Sequence, residues 1–123
     1  MPAKRKKFTI TVDGRPTPKG RPRLGRRGRV FTPIKTLEAE AVIRSAWKKA
    51  RGPMWKEEPV WIEIRLFYDH TEITVGVDED NDYSRLRGDI DNYVKLVMDG
   101  LNGAAWADDK QVHKITSWKE KTK

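Results

Sequence analysis

The chain contains no cysteine and only two histidines, His70 and His113. Without cysteine there is no disulfide framework and no thiolate chemistry, and two histidines are too few for an ordinary structural zinc site. Any metal must therefore be held mainly by oxygen. No run approaches the roughly 18 apolar residues of a membrane span, and Lys4, Arg5, Lys6 and Lys7 are not followed by an apolar segment long enough for a secretory signal. A soluble, cytoplasmic protein without a membrane partner is the expectation. A phosphate-binding glycine loop is missing too: Gly25 to Gly28 has neither the Gly-x-x-x-x-Gly-Lys form nor dinucleotide spacing, so no nucleotide cofactor is expected. Neither histidine has the serine-acid company of a hydrolase triad. There are no internal repeats, and 123 residues suffice for one domain with a modest core.

What is present is charge, unevenly spread. The net charge is +8, yet residues 1–29 carry eleven Lys or Arg against the single Asp13, while the remainder has fifteen basic and seventeen acidic side chains. The basic character belongs to one end, which points to a polyanionic partner, with nucleic acid ahead of a membrane surface. The segment 14–29 holds three prolines and four glycines, which excludes an ordinary helix or central strand and predicts an exposed basic loop or irregular hairpin. Lys19, Arg21, Arg23, Arg26, Arg27 and Arg29 lie on it and suit phosphate contact better than base reading, because such a segment offers no fixed scaffold for base edges.

Periodicity sets out the elements. Residues 1–7 read as a disordered basic tail, and 8–123 as a single domain. Phe8-Thr9-Ile10-Thr11-Val12 alternates as a strand with one face on a core. A helix is predicted from Pro33 or Thr36 to Arg51, where Gly52-Pro53 stops it, with Leu37/Ala41, Ile43/Trp47 and Val42/Ala46/Ala50 as i,i+4 pairs. Trp47 and Trp61 fit core positions. Val60 to Tyr68 alternates strongly and is expected to be the central strand, and Thr71 to Val77 a further short strand or an extended arm. The acidic run Asp78 to Asp82 opens a solvated loop over 78–88. A second helix is expected from Asp89–Asn92 to Asn102, with Val94, Val97, Met98 and Leu101 as its core stripe, and Gln111 to Trp118 reads as a last strand.

The densest chemistry is Gly88-Asp89-Ile90-Asp91-Asn92-Tyr93-Val94-Lys95, then Asp99, then Asp108-Asp109. Asp89 and Asp91 can share a ligand only if Asp89 lies at or before the helix cap, since side chains two apart on a helix diverge. Asp89 alone is equally well explained as a cap, and Asp91, Lys95 and Asp99, spaced by four, as a surface ion-pair ladder. A short helix followed by a tight return can bring Asp108-Asp109 back towards the first pair. A hard cation, Mg²⁺ or Mn²⁺, relieves the repulsion within such a group. Beside a phosphate-binding surface it supports phosphodiester hydrolysis, with Lys95 on a phosphoryl oxygen or leaving group. Arg87, just before the motif, is a candidate phosphate anchor. Trp106 is placed to fix the acidic turn.

In combination, Gly88 to Lys95, Asp99-Gly100-Leu101-Asn102 and Trp106-Ala107-Asp108-Asp109-Lys110-Gln111-Val112 resemble the RusA family of Holliday junction resolvases, and Pro18-Lys19-Gly20-Arg21-Pro22-Arg23 is similar to N-terminal segments of its members. The resemblance implies an α+β fold, a small mixed sheet with two main helices packed beside it. It also implies a homodimeric, Mg²⁺-dependent endonuclease, often encoded by phages or prophages, that cuts four-way DNA junctions by paired nicks. Asp89, Asp91 and Asp109 match the family's principal catalytic and metal-holding acids and Lys95 its catalytic lysine. Asp108 matches the neighbouring acid, and Asp99 a recurrent supporting position. A branched-DNA-binding protein that does not cut is the alternative.

Overall fold

The computed structural model describes residues 6–20, 23–24, 30–31, 33–78 and 84–120. The chain divides into two compact units, Met1–Glu79 and Asp80–Lys123. In the first, the alternating N-terminal run forms β1 (Lys7–Asp13), one residue earlier than Phe8. Two two-residue strands follow, β2 (Arg23–Leu24) and β3 (Val30–Phe31), paired antiparallel, so part of the basic segment is a hairpin. Residues 25–29, with Arg26, Arg27 and Arg29, lie outside the described residues, as do residues 1–5 and Arg21.

The first helix, α1 (Ile34–Lys49), begins after Pro33, whose fixed φ suits a helix start and whose carbonyl accepts from Thr36 and Leu37. Lys48 and Lys49 in its last turn complement the carbonyl end of the helix dipole. Arg51, at φ 60°, turns the chain into Gly52-Pro53. Thr36 is buried, and its Oγ1 accepts the Gly20 N–H at 2.9 Å. The other end of segment 14–20 is held by Gly14, whose N–H meets the Asp69 carbonyl at 2.9 Å and whose φ of 103° favours glycine.

Next come β4 (Val60–Leu66) and β5 (His70–Val77), and the sheet order is β1-β5-β4, antiparallel throughout. The α+β class stands. Two expectations change: the sheet is not mixed, and the central strand is β5, with the strongly alternating β4 at the edge. Apolar alternation reports that one face of a strand is buried, but it is silent on how many neighbours the strand has. β5 tolerates the centre because Thr71, Ile73, Thr74, Val75 and Val77 are β-branched and its one charged interior residue, Glu72, is met by Arg65 at 3.1 Å.

The core lies where α1 covers β1. Ile10 and Ile73, directly opposed across the β1–β5 ladder, are buried, each contributing about 1.5–3 kcal/mol. Trp47 meets Phe8 edge to face at 5.2 Å and donates through Nε1 to the Pro53 carbonyl at 3.0 Å, which accounts for a tryptophan on the inner face of α1. At the β4–β5 turn, Phe67 and His70 stack at 4.2 Å, and the hydrogen bond from His70 holds the Asp69 carboxyl below its ordinary range. Arg15 lies over the Tyr68 ring, 4.1 Å from its centroid, and donates to the phenol oxygen.

In the second unit the elements are α2 (Ile90–Leu101) and a 3₁₀ turn, Asp109–Gln111. The expected last strand is not formed: residues 112–120 carry no regular secondary structure. Ile115 and Trp118 stay exposed. The weak alternation of Gln111 to Trp118, interrupted by His113 and Lys114, offers no continuous apolar face to bury against a neighbour.

Candidate nuclease site

Residues 84–120 carry the acidic constellation, and local geometry assigns each acid a different task. Asp89 occupies the position before α2, extended at φ −72° and ψ 140°, and its carbonyl accepts from Asn92 and Tyr93. Its side chain makes no capping hydrogen bond. The usual reason for an aspartate at this place is therefore missing, and the exposed carboxylate projects from the positive end of the helix dipole. Asp91 stands in the first turn, also exposed.

The residue before Asp89 is fixed by a contact the sequence did not announce. The Gly88 N–H donates to the Tyr93 hydroxyl at 3.0 Å, and a Cβ at position 88 would fall 2.8 Å from that oxygen. A side chain at 88 would push the tyrosine hydroxyl aside, and with glycine there the tyrosine ties the segment that carries Asp89 to the first turn of α2. A glycine five residues before a tyrosine is too common a spacing to have signalled it.

Lys95 and Asp99 follow Asp91 along one face of α2, all three exposed. Among the described residues no ion pair joins them, so each keeps its charge available to another partner. Arg87 is exposed in the segment leading to Gly88.

After α2 the chain reverses at once. Gly103, at φ 83°, donates to the Trp106 carbonyl at 2.7 Å, while Ala104 and Ala105 donate to Leu101. This return brings the two later acids into view with distinct partners. Asp108 caps the 3₁₀ turn: its Oδ1 accepts from the Lys110 N–H at 2.9 Å, and Gln111 Oε1 accepts from the N–H groups of Ala107 and Asp108, both at 2.9 Å. The sequence signal for this was present, since Asp-x-x-Gln is a capping box. Asp109 instead takes the Trp106 indole N–H on its Oδ1 at 2.7 Å, which fixes the carboxylate's orientation and leaves Oδ2 for another partner.

These donors are hard carboxylate oxygens, the chemistry that Mg²⁺ or Mn²⁺ takes. Among the described residues, however, no three His, Cys, Asp or Glu side chains are grouped closely enough to enclose an ion. Asp89, Asp91 and Asp109 thus supply the right oxygens without standing as a closed set.

Of the proposed phosphate contacts, Lys19 lies 3.6 Å from Glu40, an exposed pair worth little against a polyanion. Arg23 is placed by its backbone in β2.

No curated protein and no solved structure matches the chain. The family model described as endodeoxyribonuclease RusA matches residues 13–123. That match runs from the end of β1 to the C-terminus and takes in both the basic segment and every acid of the constellation, so the chain belongs to the RusA family of Holliday junction resolvase endonucleases.

Proposed function

We propose that the protein is a Mg²⁺-dependent, structure-selective endodeoxyribonuclease that resolves four-way DNA junctions by paired hydrolysis, as a homodimer with one site per copy. The observation that carries this reading is the Asp89 carboxylate, at a helix cap yet unused for capping, two residues from Asp91 and accompanied by an Asp109 whose orientation is held by Trp106. Asp89, Asp91 and Asp109 would hold the ion. When bound, it polarises the scissile phosphodiester and offsets the charge that develops on it. Lys95, one turn beyond Asp91 on α2, is a cation for a non-bridging or leaving oxygen. Asp108 serves the turn that presents Asp109 through Oδ1, and its Oδ2 is the oxygen it could add to the ligand set. Arg87 and the basic segment hold the backbone, and two symmetry-related sites suit a junction with two like strands to cut.

The deciding experiment is cleavage of a labelled four-way junction against linear duplex of the same sequence, with Mg²⁺ or with EDTA. Paired nicks in the junction arms, only with metal, are expected; metal-independent cutting or equal cutting of linear duplex would reject the reading. A branched-DNA-binding protein that does not cut is the second reading, favoured by the open arrangement of the acids, and it predicts a junction shift in gels with no product under any metal.

Trp106 is a positioning residue on this scheme. Trp106→Phe keeps the ring but removes the N–H donor, and is expected to slow single-turnover cleavage about tenfold, the range for losing a hydrogen bond to a metal-holding group. Added Mn²⁺ should recover part of the loss, and junction affinity should not change. Equal rates for variant and wild type would show that Asp109 needs no orientation.

A further inference from the structure

We infer that Tyr93 takes over the restraint of the chain entering α2 that an aspartate at position 89 ordinarily supplies, and so holds the Asp89 carboxylate where an ion can use it. Tyr93 is then a positioning residue for cleavage. The inference rests on the reading of Asp89 given above; the geometry that carries it lies wholly within residues 88 to 93.

A helix begins with N–H groups that have no partner inside it, and the residue at the cap usually lends a side-chain oxygen to one of them. That bond satisfies a donor and also fixes how the incoming chain meets the helix. At α2 it is absent, since the Asp89 side chain makes no capping hydrogen bond. The carboxylate gains freedom for another partner, but the backbone that carries it loses its usual tie. Gly88 makes the loss worse, because glycine has the widest backbone freedom of any residue and stands immediately before Asp89. A cation finds the oxygen in one place only if something else restrains this peptide.

Tyr93 restrains it from both sides. Its backbone N–H donates to the Asp89 carbonyl at 3.4 Å, beside that of Asn92 at 3.1 Å. Its hydroxyl accepts the Gly88 N–H at 3.0 Å. The amide before Asp89 and the carbonyl after its Cα are thereby tied to the same residue. Positions 88 and 93, one before the cap and four after it, are those at which two apolar side chains commonly fix the entry of a chain into a helix. Here the pair is glycine and tyrosine, and a hydrogen bond stands in for the apolar contact. The exchange matters, because a hydrogen bond is directional: it fixes the plane of the peptide as well as its distance.

The absence of a side chain at 88 belongs to the same device. A Cβ there would fall 2.8 Å from the tyrosine oxygen, 2.9 Å from Cζ and 3.0 Å from Cε2, so it would displace the ring that makes the bond. Glycine lets the tyrosine approach, and the tyrosine removes the freedom that glycine brings. Asp89 is left with both carboxylate oxygens unspent on the helix.

Tyr93→Phe tests this, since it keeps the ring and removes only the oxygen. Exchange of the Gly88 amide hydrogen, followed by nuclear magnetic resonance, should quicken about fivefold, the net worth of one hydrogen bond. The Mg²⁺ concentration for half-maximal single-turnover cleavage of a four-way junction should rise by a similar factor, with the rate at saturating Mg²⁺ within about twofold of wild type. Mn²⁺ titrated into the protein without DNA, followed by its electron paramagnetic resonance, should show the same weakening. Junction affinity in EDTA should not change. A merely structural role would instead lower the melting temperature and depress cleavage alike at every metal concentration. Gly88→Ala breaks the same bond from its other end, so the double variant should be no worse than the poorer single one, whereas independent effects would multiply.

An unaltered metal requirement, an unaltered Gly88 exchange rate or multiplying effects in the double variant would each overturn the proposal. So would a loss of junction affinity in EDTA, which would make the hydroxyl a DNA contact. A wild type that cuts junctions alongside a Tyr93→Phe variant of equal metal requirement would overturn the positioning role alone. A wild type that neither cuts nor binds Mn²⁺ would sink the nuclease reading itself.

Discussion

Asp91→Asn is expected to lower junction cleavage by about 100-fold or more under single-turnover conditions, since even partners of metal ligands cost up to that much when removed, while junction affinity is retained. Asp89→Asn and Asp109→Asn should behave alike. The substitution is nearly isosteric, so folding is spared; what goes is a negative oxygen. Asp89→Asn is the sharper of the three because asparagine caps helices as well as aspartate does. If Asp89 served only to start α2, this variant would cut at the wild-type rate, and that result would remove Asp89 from the site. Asp108→Ala provides the contrast. It loses the cap on the 3₁₀ turn, a cost of about 1 kcal/mol, and is expected to lower thermal stability with a smaller effect on cleavage than Asp109→Asn. Thermal melts and cleavage rates on one set of preparations separate the two acids.

Replacing Arg21, Arg23, Arg26 and Arg27 together by alanine should weaken junction binding and reduce the slope of log affinity against log salt by about 3 to 4, at roughly 0.9 for each phosphate no longer neutralised. The weakening should be nearly independent of junction sequence, because groups that meet phosphates position the duplex without reading bases. Titrations at several salt concentrations measure it directly, and an unchanged slope would take the segment out of the DNA interface. Lys19 is left out of this set because Glu40 already lies beside it, so its removal should change the slope less than removal of any of the four.

Much of the outline was legible in the residues. The Phe8 to Val12 alternation yields β1, and the end of α1 at Lys49, two residues before the expected Arg51, follows from the Gly52-Pro53 pair behind it, which cannot continue a helix. The start of α2 at Asp89 follows from the amphipathic run behind it. What failed to read was neighbour relations. Val60 to Leu66 has the stronger alternation, yet it is β5, with its threonines and a neutralised Glu72, that takes the centre. The C-terminal segment failed for the opposite reason: Ile115 and Trp118 look like strand residues one at a time, but among the described residues no strand edge receives them.

Within the site the division is similar. Which residue types gather, and that a hard cation suits them, could be taken from Asp89, Asp91, Lys95, Asp108 and Asp109 in order along the chain. That Asp89 leaves its cap unused, that Trp106 orients Asp109 and that Asp108 belongs to a capping box are matters of distance and angle. Composition and order determined the chemistry of this protein: no sulfur ligands from cysteine, a basic end for phosphates and a run of carboxylates for a hard ion. Only the tertiary structure decided which acid is spared from capping and which strand takes the centre of the sheet, because hydrogen bonds depend on tenths of an ångström and strand neighbours on residues far apart in sequence, neither of which a local pattern encodes.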